Sequence, residues 1–327
     1  MKFETADILD IAPADLDPLL RAEANAWQKE LHWDYSATVR LISQWLEERR
    51  LTGCAIRADG QIKGFCFYFT EGPRAVVADL FVEPGAEALA YARGLLERAL
   101  HELLSSPQIE RVEAQLPHFA FDRLNTWFRS RAFASYGREF MVRPLCGAEA
   151  EVARMAGSTE GDFWVEPWER RYDREAAELL YHAYRHHVDA AINEQYASLE
   201  GISRLMDNVI YHHGCGEFLS GASWVAVHRP TQKLAGILGA TRVRRNTAHL
   251  PQIAVAAEFQ RAGVGTTLLS SSLKMLQQMG FEEVSLTVTS LNQGALRLYQ
   301  RFGFRTFHTF GAFVWQRVAA NPQPFLP

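Results

Sequence analysis

Basic runs are missing from this chain. Its 327 residues carry 34 Lys and Arg against 38 Asp and Glu, a formal net charge of −4. A general nucleic-acid binder needs a basic face that displaces counterions, so the balance argues against that class and against a nucleic-acid partner. It leaves a small acidic or phosphorylated ligand open, because local fields can oppose net charge. Cysteine is scarce too: Cys54, Cys66, Cys146 and Cys215 are all there is. None forms a C-x-x-C pair or stands at zinc-ligand spacing, and scattered cysteines suit a reducing compartment. No apolar run approaches the ~20 residues that span a bilayer. The first residues, Met1-Lys2-Phe3-Glu4, include an acid and lack the apolar core of a signal peptide. A cytoplasmic protein with no membrane partner is expected.

What is present is a globular balance, 48% hydrophobic and 22% charged residues, over a length that suits two ordinary domains. An internal repeat divides it. Phe81–Arg98 (FVEPGAEALAYARGLLER) aligns without gaps on Ala254–Ser271 (AVAAEFQRAGVGTTLLSS), 173 residues later. Ile62-Lys63-Gly64-Phe65 falls on Leu234-Ala235-Gly236-Ile237 at an offset of 172, and Ala132-Phe133 on Gly303-Phe304 at 171. A nearly constant offset across three segments implies a duplicated unit. The expected organisation is a first domain over residues 1–146, a small, polar linker over 147–161, a second domain over 162–318 and a Pro-rich tail over 319–327.

In the second copy, Phe163-Trp164-Val165 reads as a strand, and Asp173 to about Tyr196 as a helix with Asp173 at its N-cap. A second helix is predicted over Leu199–Tyr211. Ala222–His228 and Leu234–Val243 form a hairpin across Pro230-Thr231. Thr247–Ala256 is a strand, and Gly263–Met279 a helix with Leu268, Leu269, Leu273, Leu276 and Met279 on one stripe. Glu283–Thr289 alternates as a strand, Asn292–Phe302 is a helix stopped by Gly303, and Thr306–Arg317 closes the sheet. The order β-α-α-β-β-β-α-β-α-β makes each copy a mixed α/β unit.

Gln260-Arg261-Ala262-Gly263-Val264-Gly265 lies between a strand and the long helix. A helix N-terminus offers free N–H groups and partial positive charge, glycines let a phosphate approach the backbone, and Arg261 adds a charged donor. Alone, such a turn is common. A second stretch specifies it: Asn292, Ala295 and Tyr299, followed by Gly303-Phe304. Together these segments resemble the GNAT superfamily of acetyl-CoA-dependent N-acyltransferases. That family carries R/Q-x-x-G-x-G/A after its fourth strand, met by Gln260, Gly263 and Gly265, and N-x-x-A-x-x-x-Y before G-F. The resemblance covers roughly residues 160–318, with a weaker echo over 1–145. It implies two tandem domains of α/β (α+β) type, each a twisted, mostly antiparallel sheet flanked by helices.

The resemblance further implies acetyl-CoA as cofactor. Ala262, Gly263, Val264, Gly265 and Thr266 would hold its pyrophosphate through backbone N–H groups. Ile253, Ala254 and Val255 would offer main-chain groups to the pantetheine arm. Asn292 would hydrogen-bond the cofactor, and Tyr299 would face the sulfur as general acid. The alternative for Tyr299 is a core tyrosine with a satisfied hydroxyl. The expected reaction is acetyl transfer to the primary amine of a small molecule or a peptide N-terminus.

Histone-type members place a glutamate base eleven residues before the motif glutamine; here that position is His249. An imidazole suits the role, with an unperturbed pKa near 6.5. Strand alternation sets His249 on the face of Ile253 and Val255 unless Pro251 introduces a bulge or edge. An exposed strand-end histidine is an equal alternative. Asp189, Asn193 and Tyr196, at i, i+4 and i+7 of the predicted helix, are candidates for holding the acceptor. The His, Asp and Glu of His186–Tyr196 lack metal-site spacing, so no metal is expected there. His212-His213-Gly214-Cys215 reads as a loop.

In the first copy, Glu87, Ala90 and Ala92 replace Gln260, Gly263 and Gly265, and Phe128 replaces Tyr299. A carboxylate and two methyl groups then stand where phosphate would approach, so this copy is expected to be degenerate and structural. A non-catalytic CoA-binding regulatory module is the competing function, and Asn292 with Tyr299 speaks against it. Oligomeric state, a homodimer included, and the identity of the acceptor stay open.

Overall fold

The computed structural model describes residues 3–146 and 161–317. Met1 and Lys2, nearly all of the expected linker and the expected tail lie outside them. The first half runs β1 (Glu4–Asp7), α1 (Pro13–Glu30), α2 (Ser36–Glu47), β2 (Thr52–Ala58), β3 (Gln61–Glu71), β4 (Arg74–Val82), α3 (Ala88–Ser105), β5 (Arg111–Ala120), α4 (Phe121–Arg129) and β6 (Ala134–Pro144). The second runs β7 (Phe163–Pro167), α5 (Asp173–Tyr184), α6 (Val188–Ile192), α7 (Leu199–Tyr211), β8 (Glu217–Phe218), β9 (Trp224–His228), β10 (Leu234–Arg244), β11 (Thr247–Val255), α8 (Val264–Gln278), β12 (Glu283–Thr289), α9 (Gln293–Arg301) and β13 (Arg305–Gln316). No helix among the described residues is long and apolar enough to cross a membrane.

Two compact units form, and they cut across the repeat boundary. One comprises residues 3–26, 35–135 and 310–317 of those described; the other comprises 27–34, 136–146 and 161–309. In the first unit the strand order is β1-β2-β3-β4-β5-β13, and in the second β7-β9-β10-β11-β12-β6, with β8 on β10. Neighbours are antiparallel except for β4–β5 and β11–β12, which are parallel. The two orders correspond strand by strand, which confirms the duplication. Each sheet, however, is finished by the last strand of the other repeat. Glu283–Thr289 pair with Pro144–Arg138, and Gly311–Gln316 pair with Leu116–Arg111.

The duplication is also visible in packing. A Cβ on Gly236 would stand 2.8 Å from Val264 Cγ1 and 3.0 Å from Leu268 Cδ1; one on Gly64 would stand 2.7 Å from Val82 Cγ1 and 3.1 Å from Leu95 Cδ1. In both units a glycine on the third sheet strand lets the long helix lie close on the sheet. In the second unit that helix, α8, buries Leu268, Leu269, Leu273 and Leu276 against Ala248, Leu250, Val284, Leu286 and Met141. The opposite sheet face is covered by α5 and α7, where Ala176, Leu180, Ile202 and Met206 pack on Val225, Ile237 and Ala254.

Two local expectations are corrected. The helix predicted from Asp173 to about Tyr196 stops at Tyr184. His187 turns extended (φ −86°, ψ 153°) before α6, and a 3-10 turn follows at Glu194–Ala197. Asp173 is the first helical residue and not the N-cap. Its carboxylate instead accepts from Trp168 Nε1 (2.9 Å) and from the Tyr211 hydroxyl, tertiary partners that a local capping rule does not foresee.

Candidate active site

In the second unit β11 and β12 pair only from Thr247 opposite Glu283 to Leu250 opposite Leu286. Beyond that point β11 follows β10 and β12 follows β6, so the two parallel strands part. Main-chain groups of Ile253, Ala254 and Val255 line the β11 side of this wedge, and Tyr184 Oη donates to the Ile253 carbonyl at 3.4 Å. Ala254 is buried; Ile253 and Val255 are half-buried.

The turn after β11 has the form a phosphate cradle requires. Arg261 (φ +65°) and Gly263 (φ +84°) are both left-handed, and Gly263 is the N-cap of α8. An L-residue at Gly263 would be strained, so the glycine is what lets the chain enter the helix at this angle. The amides of Val264, Gly265 and Thr266 open a 15-residue helix with no side-chain cap, which leaves them available to an anion. A Cβ on Gly265 would meet only Val255 and Leu298, at 3.5 and 3.8 Å. Internal packing therefore does not demand glycine there. Gln260, Arg261 and Ala262 are exposed on the lip.

In the first unit this turn is gone. At the same alignment offset, α3 starts at Ala88, three residues earlier than α8 does. Ala90, the counterpart of Gly263, is already helical, and Glu87 stands at the N-cap. Helix occupies the place of the loop.

Past the wedge, α9 brings up the second motif. Asn292 is its N-cap, with Oδ1 accepting from Ala295 N at 3.1 Å. Tyr299 is buried at 6% exposure. Burial first, and then the nearby Asp189 charge, push its phenol up from the ordinary value. It stays protonated at neutral pH, as a proton donor must. Arg143 of β6, itself fully buried, donates to the Phe302 carbonyl at the end of α9 and so holds that helix.

Asp189, Asn193 and Tyr196 do not share one helix face, because the helix breaks between them. Asp189 pairs with Arg138 of β6 at 2.9 Å and accepts from the Thr289 hydroxyl. Asn193 caps the next turn through Gln195 N at 3.0 Å. Tyr196 stacks on Tyr184 (centroids 4.5 Å apart, 13° between planes) and receives Gln252 Nε2 at 2.6 Å. Asp189 nevertheless lies near Tyr299, whose phenol feels its charge.

His249 is displaced from its expected place. The register slips between Gly239↔Gln252 and Thr241↔His249, a bulge in β11 at Pro251. The bulge restarts the alternation: Ala248, Leu250, Ile253 and Val255 all pack toward α8, and His249 points to the other face. There it is enclosed by Trp33 and Phe140, with centroids 5.1 and 6.3 Å away, and Nδ1 is 2.9 Å from Ser285 Oγ. Burial lowers its pKa to about 4. It pairs across from Ser285, four residues before Thr289, or about 13 Å along the strand from the Asp189 group. A base that weak and that distant does not suit an amine of pKa about 10.4.

The residue that sequence reasoning passed over is His187. Its ring lies between Asp189 and Asn292, with Nε2 3.0 Å from Asn292 Nδ2 and Nδ1 3.5 Å from Asp189 Oδ2. A single histidine next to an aspartate two positions on was a weak signal, and only the helix break gives it meaning.

Comparison with known proteins places the site in context. Residues 158–304 match the Acetyltransferase (GNAT) family. Over 96 residues the chain is 32% identical to N-acetyltransferase family 8 member 3 of Rattus norvegicus, covering 27% of this chain and 41% of that protein. The chain thus spans about two fifths of that curated relative's length. A mycothiol acetyltransferase of Geodermatophilus obscurus aligns at 25% identity, over 81% of each chain. Among solved structures, a tandem GNAT protein from the clavulanic acid biosynthesis pathway superposes with a TM-score of 0.61 at 15% identity, over 98% of this chain and 100% of that one. That likeness concerns the fold.

Proposed function

We propose, from the match of residues 158–304 to the Acetyltransferase (GNAT) family, that the second unit transfers an acetyl group from acetyl-CoA to a primary amine of a small molecule or peptide N-terminus. The observation that carries this reading is the left-handed Gly263 opening an uncapped α8 beside the β11–β12 wedge. In this reading the amides of Ala262 to Thr266 hold the pyrophosphate, with Gln260 and Arg261 at its rim. The main chain of Ile253–Val255 aligns the pantetheine arm, and Asn292 hydrogen-bonds it. Bound there, acetyl-CoA supplies an activated acyl group. Tyr299 donates the proton that the departing sulfur takes up. A β11 amide near Val255 stabilises the developing negative charge on the carbonyl oxygen.

The first unit holds no coenzyme in this reading, because α3 fills the position of the cradle. The role of repeat one is structural in this reading: it supplies β6 to the sheet of the second unit. The similarity to a mycothiol acetyltransferase, 25% identity over 81% of each chain, supports a small amine acceptor. The test is calorimetry with CoA, followed by thiol release from acetyl-CoA across a panel of amines. One coenzyme bound per chain and acetylation of at least one amine are expected. Two equivalents, or tight binding with no turnover on any amine, would refute the reading.

A further inference from the structure

Resting on that reading and extending it, we infer that His187 is the base that deprotonates the acceptor amine, with Asp189 orienting its ring. Three observations meet here. Asn292 Oδ1 is committed to the Ala295 amide, so the atom it turns toward His187 Nε2, 3.0 Å away, is the donor Nδ2. The Asp189 amide also donates toward the ring, 3.2 Å from Nδ1, as the N-cap contact of α6. A neutral imidazole has one lone pair and accepts from only one of these. The shorter contact, and the Asp189 carboxylate 3.5 Å from Nδ1, assign the lone pair to Nε2 and the proton to Nδ1. A carboxylate 3.5 Å from one ring nitrogen and, on the other, a lone pair held only by a neutral amide is the arrangement of an oriented general base.

The remaining groups around the ring do not serve. The Asp189 carboxylate is engaged by Arg138 and the Thr289 hydroxyl. Tyr184, Tyr196 and Tyr299 all have phenols pushed up, in each case first by burial, so they stay protonated. Arg138 is a fixed cation. His187 keeps 29% of its side chain exposed, which leaves a path for substrate and for the proton.

The step balances. The acceptor ammonium gives one proton to His187 Nε2, displacing the neutral Asn292 amide, which a charged donor outcompetes. The freed nitrogen lone pair attacks the thioester carbonyl carbon. The C–N bond forms and the C–S bond breaks. Tyr299 gives its proton to sulfur and takes the second proton leaving nitrogen. His187 then releases its proton to solvent, so ammonium and thioester yield amide, thiol and one proton.

The experiment compares wild type, His187→Gln, His187→Ala and Asp189→Asn for kcat/KM against pH, for CoA affinity by calorimetry and for melting temperature. His187→Gln is expected to lower kcat/KM by about 10²–10⁴-fold and abolish the acid limb of the profile. CoA affinity should stay within about threefold. Added imidazole should restore part of the rate of His187→Ala, which separates chemistry from misfolding. An active enzyme that is indifferent to His187→Gln overturns the base alone. Loss of rate with a matching loss of CoA affinity and no imidazole rescue also overturns it, since His187 would then only hold Asn292. A wild-type protein that binds CoA and acetylates no amine overturns the parent reading, and the base with it.

Discussion

The exchange of last strands predicts that the C-terminal repeat does not fold alone. Repeat two ends its sheet at β12 unless β6 is present, and β6 belongs by sequence to repeat one. The segment buries Phe140, Met141, Val142 and Leu145, each less than a tenth exposed. Met141 and Leu145 belong to the same core as α8. At about 1.5–3 kcal/mol per buried apolar side chain, these four contribute about 6–12 kcal/mol. The whole stability of a domain is about 5–15 kcal/mol. Losing β6 therefore removes a share comparable to the total. It also leaves the β12 edge unpaired and open to aggregation. Residues 162–309 are expected to show no cooperative melt and no CoA binding, whereas residues 136–309 melt cooperatively. Circular dichroism and calorimetry on the two fragments decide it. A sharp transition for 162–309, within a few degrees of that for 136–309, would refute the reasoning.

Three further outcomes follow from single positions. Gly265→Ala should leave the fold intact and raise stability by about 0.5–1 kcal/mol, because its Cβ meets only ordinary contacts and helix glycine is costly; CoA affinity should fall at least about tenfold, and unchanged affinity would count against the cradle. Tyr299→Phe should lower kcat by about 10²-fold with little change in CoA affinity; its raised phenol remains protonated through pH 10, so no activity should be lost to its ionisation below that pH. His249 is depressed to about 4 against about 6.5 unfolded, so its neutral form is favoured by folding. The resulting stability, about 3 kcal/mol, is present above pH 6.5 and lost as pH falls toward 4. Urea melts should therefore show a shallower loss of stability between pH 6.5 and 4 in His249→Gln than in wild type, and identical slopes would contradict the assignment.

Much of the fold was legible because its signals are local. The apolar stripe of α8, the period-two pattern of β12 and the stop at Gly303 are set by residues within one element, and their bounds fall within a residue or two of expectation; Met279, expected on that stripe, is instead the exposed C-cap. The repeat offset reappears as two matching strand orders and as Gly64 and Gly236 doing the same packing. The turn into α8 was legible for the same reason, since glycine is the one residue type that opens α8 at Gly263 without strain. What a local pattern does not carry is which partner a strand chooses. The alternation in β6 marks an apolar face and a polar one, and it would suit the edge of either sheet.

The surroundings of His187 and Asp189 were hidden by that same ambiguity. The run from Asp173 to Tyr196 holds no Gly or Pro, so nothing within it demands the turn at His187. The turn leads to Asp189, which pairs with Arg138, fifty-one positions earlier in sequence and on the exchanged strand. Motif matching to repeat two alone could not find that contact, since the motif does not reach residue 138. The same long-range logic moved His249: Pro251 marked a bulge, but the register slip that turned the imidazole away depends on β10. The turn at Gly263 and the cap at Asn292 thus sit in segments that read as themselves, and the surroundings of Asp189 in a segment whose shape is imposed by a strand from the other repeat. A duplicated chain that exchanges its last strands makes each repeat part of the other's sheet, which is a physical reason for both repeats to be kept.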